Sequence, residues 1–466
     1  MSRAGTVDRP AGLAPPTGAV RLLAGLGERG EATALADHVA RWGLVPDPGR
    51  RGRGGFLDEL HRSGLRGHGG AWFPAAVKWE AVAARRLGRP VVVANGSEGE
   101  PASGKDRLLL RRAPHLVVDG LMVAAETLGA SRAVLYVPAS EARHLSEVLR
   151  ERRRAGIDPL DVEIAVAPER FIAGEESAVV AHLDGGEGAL PAFTAVTPVY
   201  RKGVDGRPTL VQNVETLAHA ALIARFGAAW FRSVGTEESP GTALLTVTIG
   251  ASGPRVIEVP FGATLRSVWS ALGESPAEAP AILLGGYGGT WMAGARVLDV
   301  PLAEEHLRPL GATFGAGVVL APPPTMCPLA EVAAIAAYLA REGAGQCGPC
   351  AYGLPALADA AASLAFGTRG GAGGPAGGGL QARIFQLCES VEGRGACHHP
   401  DGAARMVRSA LLAFGDHVDH HLHIGPCPSA AARGGRSVPR PSPVRVQGAA
   451  PRPQAPRGAR LSGARR

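Results

Sequence analysis

GLRGHGGAWFPAAVKW, residues 64–79, sets Gly64, Gly67, Gly69 and Gly70 in a loop that leads into a helix. Glycines adopt positive φ and let backbone N–H groups approach an anion, so such a loop can cradle a phosphate without charged side chains. Lys78 adds a point charge. The spacing matches neither the Walker nor the simple dinucleotide fingerprint, and a tight turn packing loop on helix is the plain structural alternative. The sequence downstream decides the class. Strands at 91–95 (VVVAN), 133–138 (AVLYVP) and 161–168 (DVEIAVAP) alternate with helices at 116–129 and 141–156, the rhythm of an α/β layered domain.

That domain takes in 64–235, and the residues before it (1–63) read as a peripheral lead-in. Two short amphipathic helices, 31–42 and 56–63, flank a Pro/Gly/Arg linker. After it, 241–325 offers a hairpin (TALLTVTIG, RVIEVPFG), a helix (TLRSVWSAL) and two short strands (AILLGGY, GVVLAP), a small α+β unit of β-grasp type. Residues 326–425 turn helical, with candidate helices at 329–342, 354–367, 380–393 and 401–421 and a Gly-rich flexible connection at 367–379. Residues 428–466, rich in Pro, Gly, Ser and Arg, read as a disordered tail.

The net charge of +7 belongs to that tail. Removing its nine arginines leaves 40 basic against 42 acidic residues, so the folded body is not basic and no nucleic-acid partner is expected. No run of about 18 apolar residues spans a bilayer, and the N-terminus lacks the apolar core of a signal peptide. The expected location is cytoplasmic, peripheral at a membrane only through a partner. Six cysteines in 466 residues make no disulfide scaffold and leave the C-x-x-C pair for metal or redox work.

Chemistry-bearing residues gather where strands end. NGSEGEP (95–101) and AGEESA (173–178) offer Asn95, Glu98, Glu100, Glu175 and Glu176 beside glycines. LVQNVETLAH (210–219) puts Asn213, Glu215 and Thr216 at a helix start. Ligands of open α/β sheets bind at that edge, and such side chains suit the hydroxyls of a ribityl or ribose chain. EGAGQCGPCAYG (342–353) carries Cys347 and Cys350, with Cys397 and His398 remote; taken alone, C-x-x-C with a distant Cys-His also makes a tetrahedral Cys₃His zinc site. Cys388 shares helical spacing with Ile384, Leu387 and Val391 and reads as core. Cys327 reads as structural, and His417, His420 and His421 read as one solvated helical face.

These motifs, in this order and with KDR (105–107) after NGSEGEP and GRPTLVQNVET (206–216), resemble the NADH-binding flavoprotein subunit of respiratory complex I and related NAD-reducing hydrogenase and formate dehydrogenase subunits, over about residues 50–425. The resemblance implies a Rossmann-like FMN domain, a β-grasp domain and a helical bundle holding a 4Fe-4S cluster. It implies FMN on Gly67, Gly69, Gly70, Lys78, Asn95, Glu98, Gly174, Glu175, Glu176, Asn213 and Thr216. Glu100 and Glu176 become ribose and nicotinamide contacts of NADH. The cluster falls to Cys347, Cys350 and Cys397, with His398 offered as the fourth ligand. Expected partners are ferredoxin-like or other iron–sulfur subunits, or a membrane redox complex.

Beside Ser97 for Asp and Gln212 for Asn, which still offer hydrogen bonds, the chain departs from the family pattern in three places. His68 replaces an arginine and Trp72 a glycine in the family's G-R-G-G-A-G-F, and His68 carries only a conditional charge near neutral pH. Ala81, Ala195 and Pro198 stand where the NADH pocket has two phenylalanines and a lysine, leaving Phe73. Ala344 takes the first cysteine position of C-x-x-C-x-x-C. Three functions follow from this reading: an FMN and iron–sulfur oxidoreductase subunit nominally fed by NADH, an NAD-independent version of it, or a zinc-stabilised scaffold without redox turnover.

Overall fold

A computed structural model describes residues 20–24, 26, 32–46, 52–85, 88–186, 198–275, 281–367 and 378–433. Three helices, α1 (Leu35–Trp42), α2 (Gly52–Ser63) and α3 (Ala75–Ala83), precede the first sheet. The run VVVAN is buried along four of its five residues, as a strand covered on both faces must be, and forms β1 (Val91–Asn95). β2 (Arg132–Pro138) pairs with it on one side and β4 (Thr209–Asn213) on the other; β3 (Val162–Ala167) lies beyond β2, and all four strands are parallel. Helices α4 (Lys105–Arg112), α5 (Pro114–Leu128), α6 (Ala139–Ala155) and α7 (Glu176–Leu183) fill the crossovers. α5 starts with Pro114 in its first turn and stops at Gly129, which takes the left-handed conformation a chain leaving a helix needs. The chain thus steps outward from β1 to β3 and then returns to the far side of β1. Ligand crevices in open parallel sheets form at that reversal.

Helices α8 (Val214–Phe226) and α9 (Ala228–Phe231) lead into a second, mixed sheet. It contains β5 (Thr242–Ile249), β6 (Arg255–Pro260), β7 (Ala281–Leu284), β8 (Thr290–Ala293) and β9 (Val318–Ala321) in the order β6-β5-β9-β7-β8. The expected β5–β6 hairpin forms, with Thr242 opposite Pro260, and only β5–β9 is parallel. α10 (Leu265–Ala271) begins in a Thr264/Ser267 capping box, and the short α11 (Gly294–Val297) and α12 (Glu304–Leu307) follow β8. β8 has no sequence signature, because four residues are too few to display alternation.

The bundle consists of α13 (Pro328–Glu342), α14 (Leu354–Phe366), α15 (Gly378–Val391), α16 (His399–Ala413), α17 (Gly415–His423) and α18 (Pro428–Arg433). Two expectations are corrected here. The single helix read over 401–421 breaks at Phe414 and Gly415, giving α16 and α17. The tail read from 428 opens with α18, and the rest of it lies outside the described residues, as does most of the Gly-rich connection. Cys388 is fully buried in the bundle core, as its spacing indicates. No helix among the described residues is long and apolar enough to cross a membrane.

The lead-in is not peripheral. Leu22, Trp42 and Phe56 belong to the α/β core, and the amides of Arg21, Leu22 and Leu23 donate to Glu258 on β6. α1 is tied in by charge: His38 lies 2.7 Å from Asp119 of α5, whose carboxylate also takes Arg152 of α6 at 2.7 Å and Arg225 of α8. Burial pushes the Asp119 carboxyl up, but Arg225, His38 and Arg152 outweigh that and hold it well below the usual range. Asp119→Ala leaves two guanidinium groups buried around a lost anion. We expect it to destabilise the protein by about 3–5 kcal/mol at pH 7 in urea unfolding. A depressed carboxyl pKa contributes stability above the unfolded value, so the gap should shrink as pH falls below about 3.9.

Candidate functional site

The register of the first sheet pairs Asn95 with Asn213, the last residues of β1 and β4, at the reversal point. Neither strand alone announces that pairing. Asn213 caps α8, its Oδ1 accepting the Glu215 amide at 3.0 Å, and its Nδ2 donates to Asp106 at 2.8 Å. Asn95 donates to the Gly174 carbonyl at 2.8 Å and accepts the Ser97 amide at 3.1 Å, binding the two acidic loops together. Only glycine fits at 99 between these loops, because a Cβ there would stand 2.2 Å from the Phe171 carbonyl oxygen.

The glycine loop lies across this crevice. Gly67 N–H donates to Phe73 O at 2.8 Å, and His68 N–H to the Thr216 hydroxyl at 2.8 Å, pinning the loop to α8. Thr216 is fully buried and sits behind the loop rather than on the cavity wall. Gly70 has φ +108°, a conformation that side chains rarely adopt, and the Gly69 and Gly70 amides make no hydrogen bond among the described residues. Trp72 keeps a positive φ of 53° and buries its indole in the apolar cluster of the second sheet, edge-on to Phe261 and Phe314, with Nε1–H donating to Gly315 O at 2.9 Å.

The acids have structural duties. Glu98 accepts Ser103 Oγ–H at 2.6 Å and the first-turn amides of Asp106 and Arg107 on α4. Glu175 caps α7 through Ser177 N–H and Ala178 N–H. Glu100 accepts Ala102 N–H at 3.1 Å and Tyr287 N–H at 2.8 Å, linking the α/β unit to the second sheet. Burial pushes its carboxyl up to about 7, against those two amide bonds. Glu176 is paired with Lys78, which also reaches Val211 O at 2.5 Å. A carboxylate has about four acceptor positions, so these duties leave capacity for a ligand.

Below the loop lies a buried charge network that the sequence does not display as a unit. Lys105 contacts Asp106 at 2.7 Å and Glu215 at 2.9 Å, and His68 Nδ1 is 3.2 Å from Glu215 without hydrogen-bond alignment. Burial, then the Lys105 charge, drives the His68 pKa well below its ordinary value, so the ring is neutral. The expected conditional charge on His68 is therefore absent at pH 7. Lys105 is the buried cation instead, its ammonium held by Asp106 and Glu215 against the cost of burial. KDR at 105–107 is its signal in the sequence.

Cys347, Cys350 and Cys397 converge between the start of α14 and the start of α16. Cys350 sits in a turn of π-helix, and burial with the neighbouring Cys347 and Cys397 sulfurs pushes its thiol up to about 11. Mutual repulsion of that kind is relieved by a cation or a metal cluster. Nearby amides of Gly345 and His399 favour the thiolates of Cys350 and Cys397. His398 does not join them: its side chain is fully exposed and Nδ1 lies 3.1 Å from Asp401. Gln346 Oε1, in contrast, is buried with no partner among the described residues.

One cavity of about 640 Å³ unites these parts, running from Gly67–Phe73 past Asn95, Glu98, Glu100, Glu175 and Asn213 to Cys397. Its size suits a small-molecule cofactor, for which about 300–1,000 Å³ is usual. Two bonds fix the halves: Phe171 N–H to Glu342 at 3.0 Å and Arg170 to Gly343 O at 3.1 Å. Phe73 stands on the rim, 52% exposed, Ala81 and Pro198 are half-buried, and Ala195 lies outside the described residues. His417 and His421 do not form a solvated face; His421 is buried, and both approach Cys327.

Comparisons with known proteins agree with this geometry. The chain matches the Nuo51 FMN-binding domain over residues 60–221 and the NADH-ubiquinone oxidoreductase-F iron–sulfur binding region over 330–421. It is 31% identical over 394 residues to the F subunit of NADH-quinone oxidoreductase from Streptomyces coelicolor, covering 80% of this chain and 84% of that one. The F subunit of the Escherichia coli NADH-quinone oxidoreductase is 29% identical over 392 residues, with 80% and 84% covered. Among solved structures, NAD+-reducing [NiFe]-hydrogenase in the H2-reduced state superposes with a TM-score of 0.71 at 29% identity, over 81% of this chain and 64% of the hydrogenase chain.

Proposed function

The chain belongs to the family of NADH-quinone oxidoreductase F subunits, and from that premise we propose how its own residues serve an FMN and iron–sulfur electron-transfer subunit. The observation that carries the reading is the single cavity shared by the glycine loop and Cys397. The mixed sheet crossed by α10 supports a β-grasp unit over 241–325, between a Rossmann-like FMN domain at 64–235 and an iron–sulfur bundle at 326–425.

FMN fits the cradle because the loop presents backbone where side chains would intrude: a Cβ at Gly69 would already stand 3.3 Å from Asn213 Cβ. Gly67, Gly69, Gly70 and the start of α8 would take the phosphate, with Lys105 and Lys78 supplying positive charge. Asn95, Asn213 and the spare acceptor positions of Glu98, Glu175 and Glu176 would take the ribityl hydroxyls, with Gly174 allowing close approach. Thr216 acts indirectly, by holding the loop through His68. Bound there, FMN would supply the conversion between two-electron and one-electron transfer that feeding a 4Fe-4S cluster requires. Cys347, Cys350 and Cys397 would hold the cluster, and the outward-facing His398 favours it over a Cys₃His zinc site. Broad iron–sulfur absorption with flavin bands in anaerobically purified protein is the direct test. A colourless protein overturns the reading.

Glu100 and Glu176 would remain as NADH contacts, but the small side chains at 81 and 198 favour a donor other than NADH. Aromatic stacking contributes about 1–3 kcal/mol per contact, so two missing rings weaken nucleotide binding on the order of a thousandfold. We expect stopped-flow flavin bleaching by micromolar NADH to be slower than by a reduced ferredoxin, the kind of iron–sulfur partner this reading requires. Faster bleaching by NADH would restore the nucleotide as donor. A partner at a membrane would account for any peripheral location.

A further inference from the structure

A second group of metal-ligating side chains lies outside the flavin and cluster sites. Cys327 precedes α13, Cys427 precedes α18, and His417 and His421 stand four residues apart on α17, hence on one face. Their ligand atoms all lie within 4.8 Å of one another. Cys327 Sγ is 3.5 Å from His417 Nε2 and 3.8 Å from His421 Nε2. With metal bonds of about 2.3 Å to sulfur and 2.05 Å to nitrogen, a tetrahedral ion sets sulfur and nitrogen about 3.6 Å apart, and both Cys327–histidine pairs stand near that spacing.

We propose that Cys327, His417, His421 and Cys427 form a structural Cys₂His₂ zinc site, separate from the iron–sulfur site. Two features prepare it. His421 Nδ1 lies 3.0 Å from the Leu364 carbonyl, so that nitrogen carries the proton and Nε2 turns its lone pair inward, as metal-bound histidines do. The Cys427 amide donates to that Nε2 at 3.2 Å, a bond that an ion bound there would replace. Cys327 stands at the start of α13, where the Leu329 and Ala330 amides point at its sulfur.

The chemistry selects a single closed-shell ion. In a two-iron cluster with Cys₂His₂ ligation the thiolates and imidazoles bind different irons, so sulfur and nitrogen would stand further apart than here. Four protein ligands leave no open position, which marks a structural rather than a catalytic site. The site also sits away from the flavin–cluster path: α13 separates it from the Cys347 loop by 15 residues, roughly 22 Å of helix. Its effect is to fasten α17 and α18, and with them the start of the Arg-rich segment, onto the base of the bundle.

The test is metal analysis of the full-length protein purified without added zinc. About one zinc per chain is expected beside the iron, with X-ray absorption giving two sulfurs near 2.3 Å and two nitrogens near 2.0 Å. Cobalt(II) exchanged into the site should give the intense visible bands of a tetrahedral thiolate complex. His417→Gln and Cys427→Ser should lose the zinc but keep iron and flavin, whereas Cys397→Ala should lose iron and keep zinc. The wild-type spectra decide the matter even if a variant fails to fold. A Cys327–Cys427 disulfide in zinc-free protein, or a zinc shell of other composition, overturns the proposal. So does zinc that leaves with Cys397→Ala and stays with Cys427→Ser.

Discussion

Gly70→Val and Gly69→Phe are each expected to yield folded protein nearly empty of flavin. At Gly70 the backbone has φ +108°, and a β-branched residue there forces the loop into another conformation, at a cost of roughly 1–3 kcal/mol. At Gly69 the obstacle is space, since the first side-chain atom already crowds Asn213 from 3.3 Å and the ring must go where the phosphate would lie. Each change removes the alignment of about two amide donors to an anion, worth about 1.5–3 kcal/mol apiece, so FMN affinity should drop by roughly a hundredfold to ten-thousandfold. Flavin fluorescence released on denaturation measures occupancy, and circular dichroism reports the fold. Full flavin retention in both variants would refute the placement of the phosphate.

Ala344→Cys should turn a labile iron site into a robust one. Three thiolates leave one iron of a 4Fe-4S cluster with a weaker or exchangeable ligand, and that iron departs first on oxidation. Wild-type protein should therefore show mixed three-iron and four-iron signals after brief exposure to air, and the variant chiefly four-iron signals. Cys397→Ala or Cys347→Ala should abolish the cluster, because two thiolates cannot hold it. Iron counts and electron paramagnetic resonance on the four proteins separate these outcomes. An unchanged iron content and air stability in Ala344→Cys would mean that the shell is already complete. Gln346, whose Oε1 is buried without a partner among the described residues, would then be the ligand to replace.

Much of this protein is legible in local sequence. Valine runs covered on both faces read as parallel strands, apolar periodicity reads as bundle helices, and Gly70 marks a place where the backbone takes a conformation that side chains rarely adopt. Such features depend on neighbours a few residues away, so spacing reveals them. Cys347, Cys350 and Cys397 are legible for a different reason, since C-x-x-C with a remote cysteine points to metal binding, while the choice of cluster over zinc rests on the resemblance to the family.

Tertiary structure decided the rest, because it depends on which distant residues burial brings together. The return of β4 to β1 sets Asn95 beside Asn213, 118 positions apart in the chain. Whether His68 carries charge depended on Lys105 and on complete desolvation, neither of which a loop sequence displays. The carboxylates read as hydroxyl acceptors also serve as helix caps and as a link to the second sheet, since the folded backbone supplies amides that need them. His398, adjacent to Cys397, points to solvent, whereas His417 and His421, read with His420 as a solvated face, meet two cysteines from opposite ends of the bundle sequence. Helical spacing shows that two histidines share a face; only packing shows what that face meets.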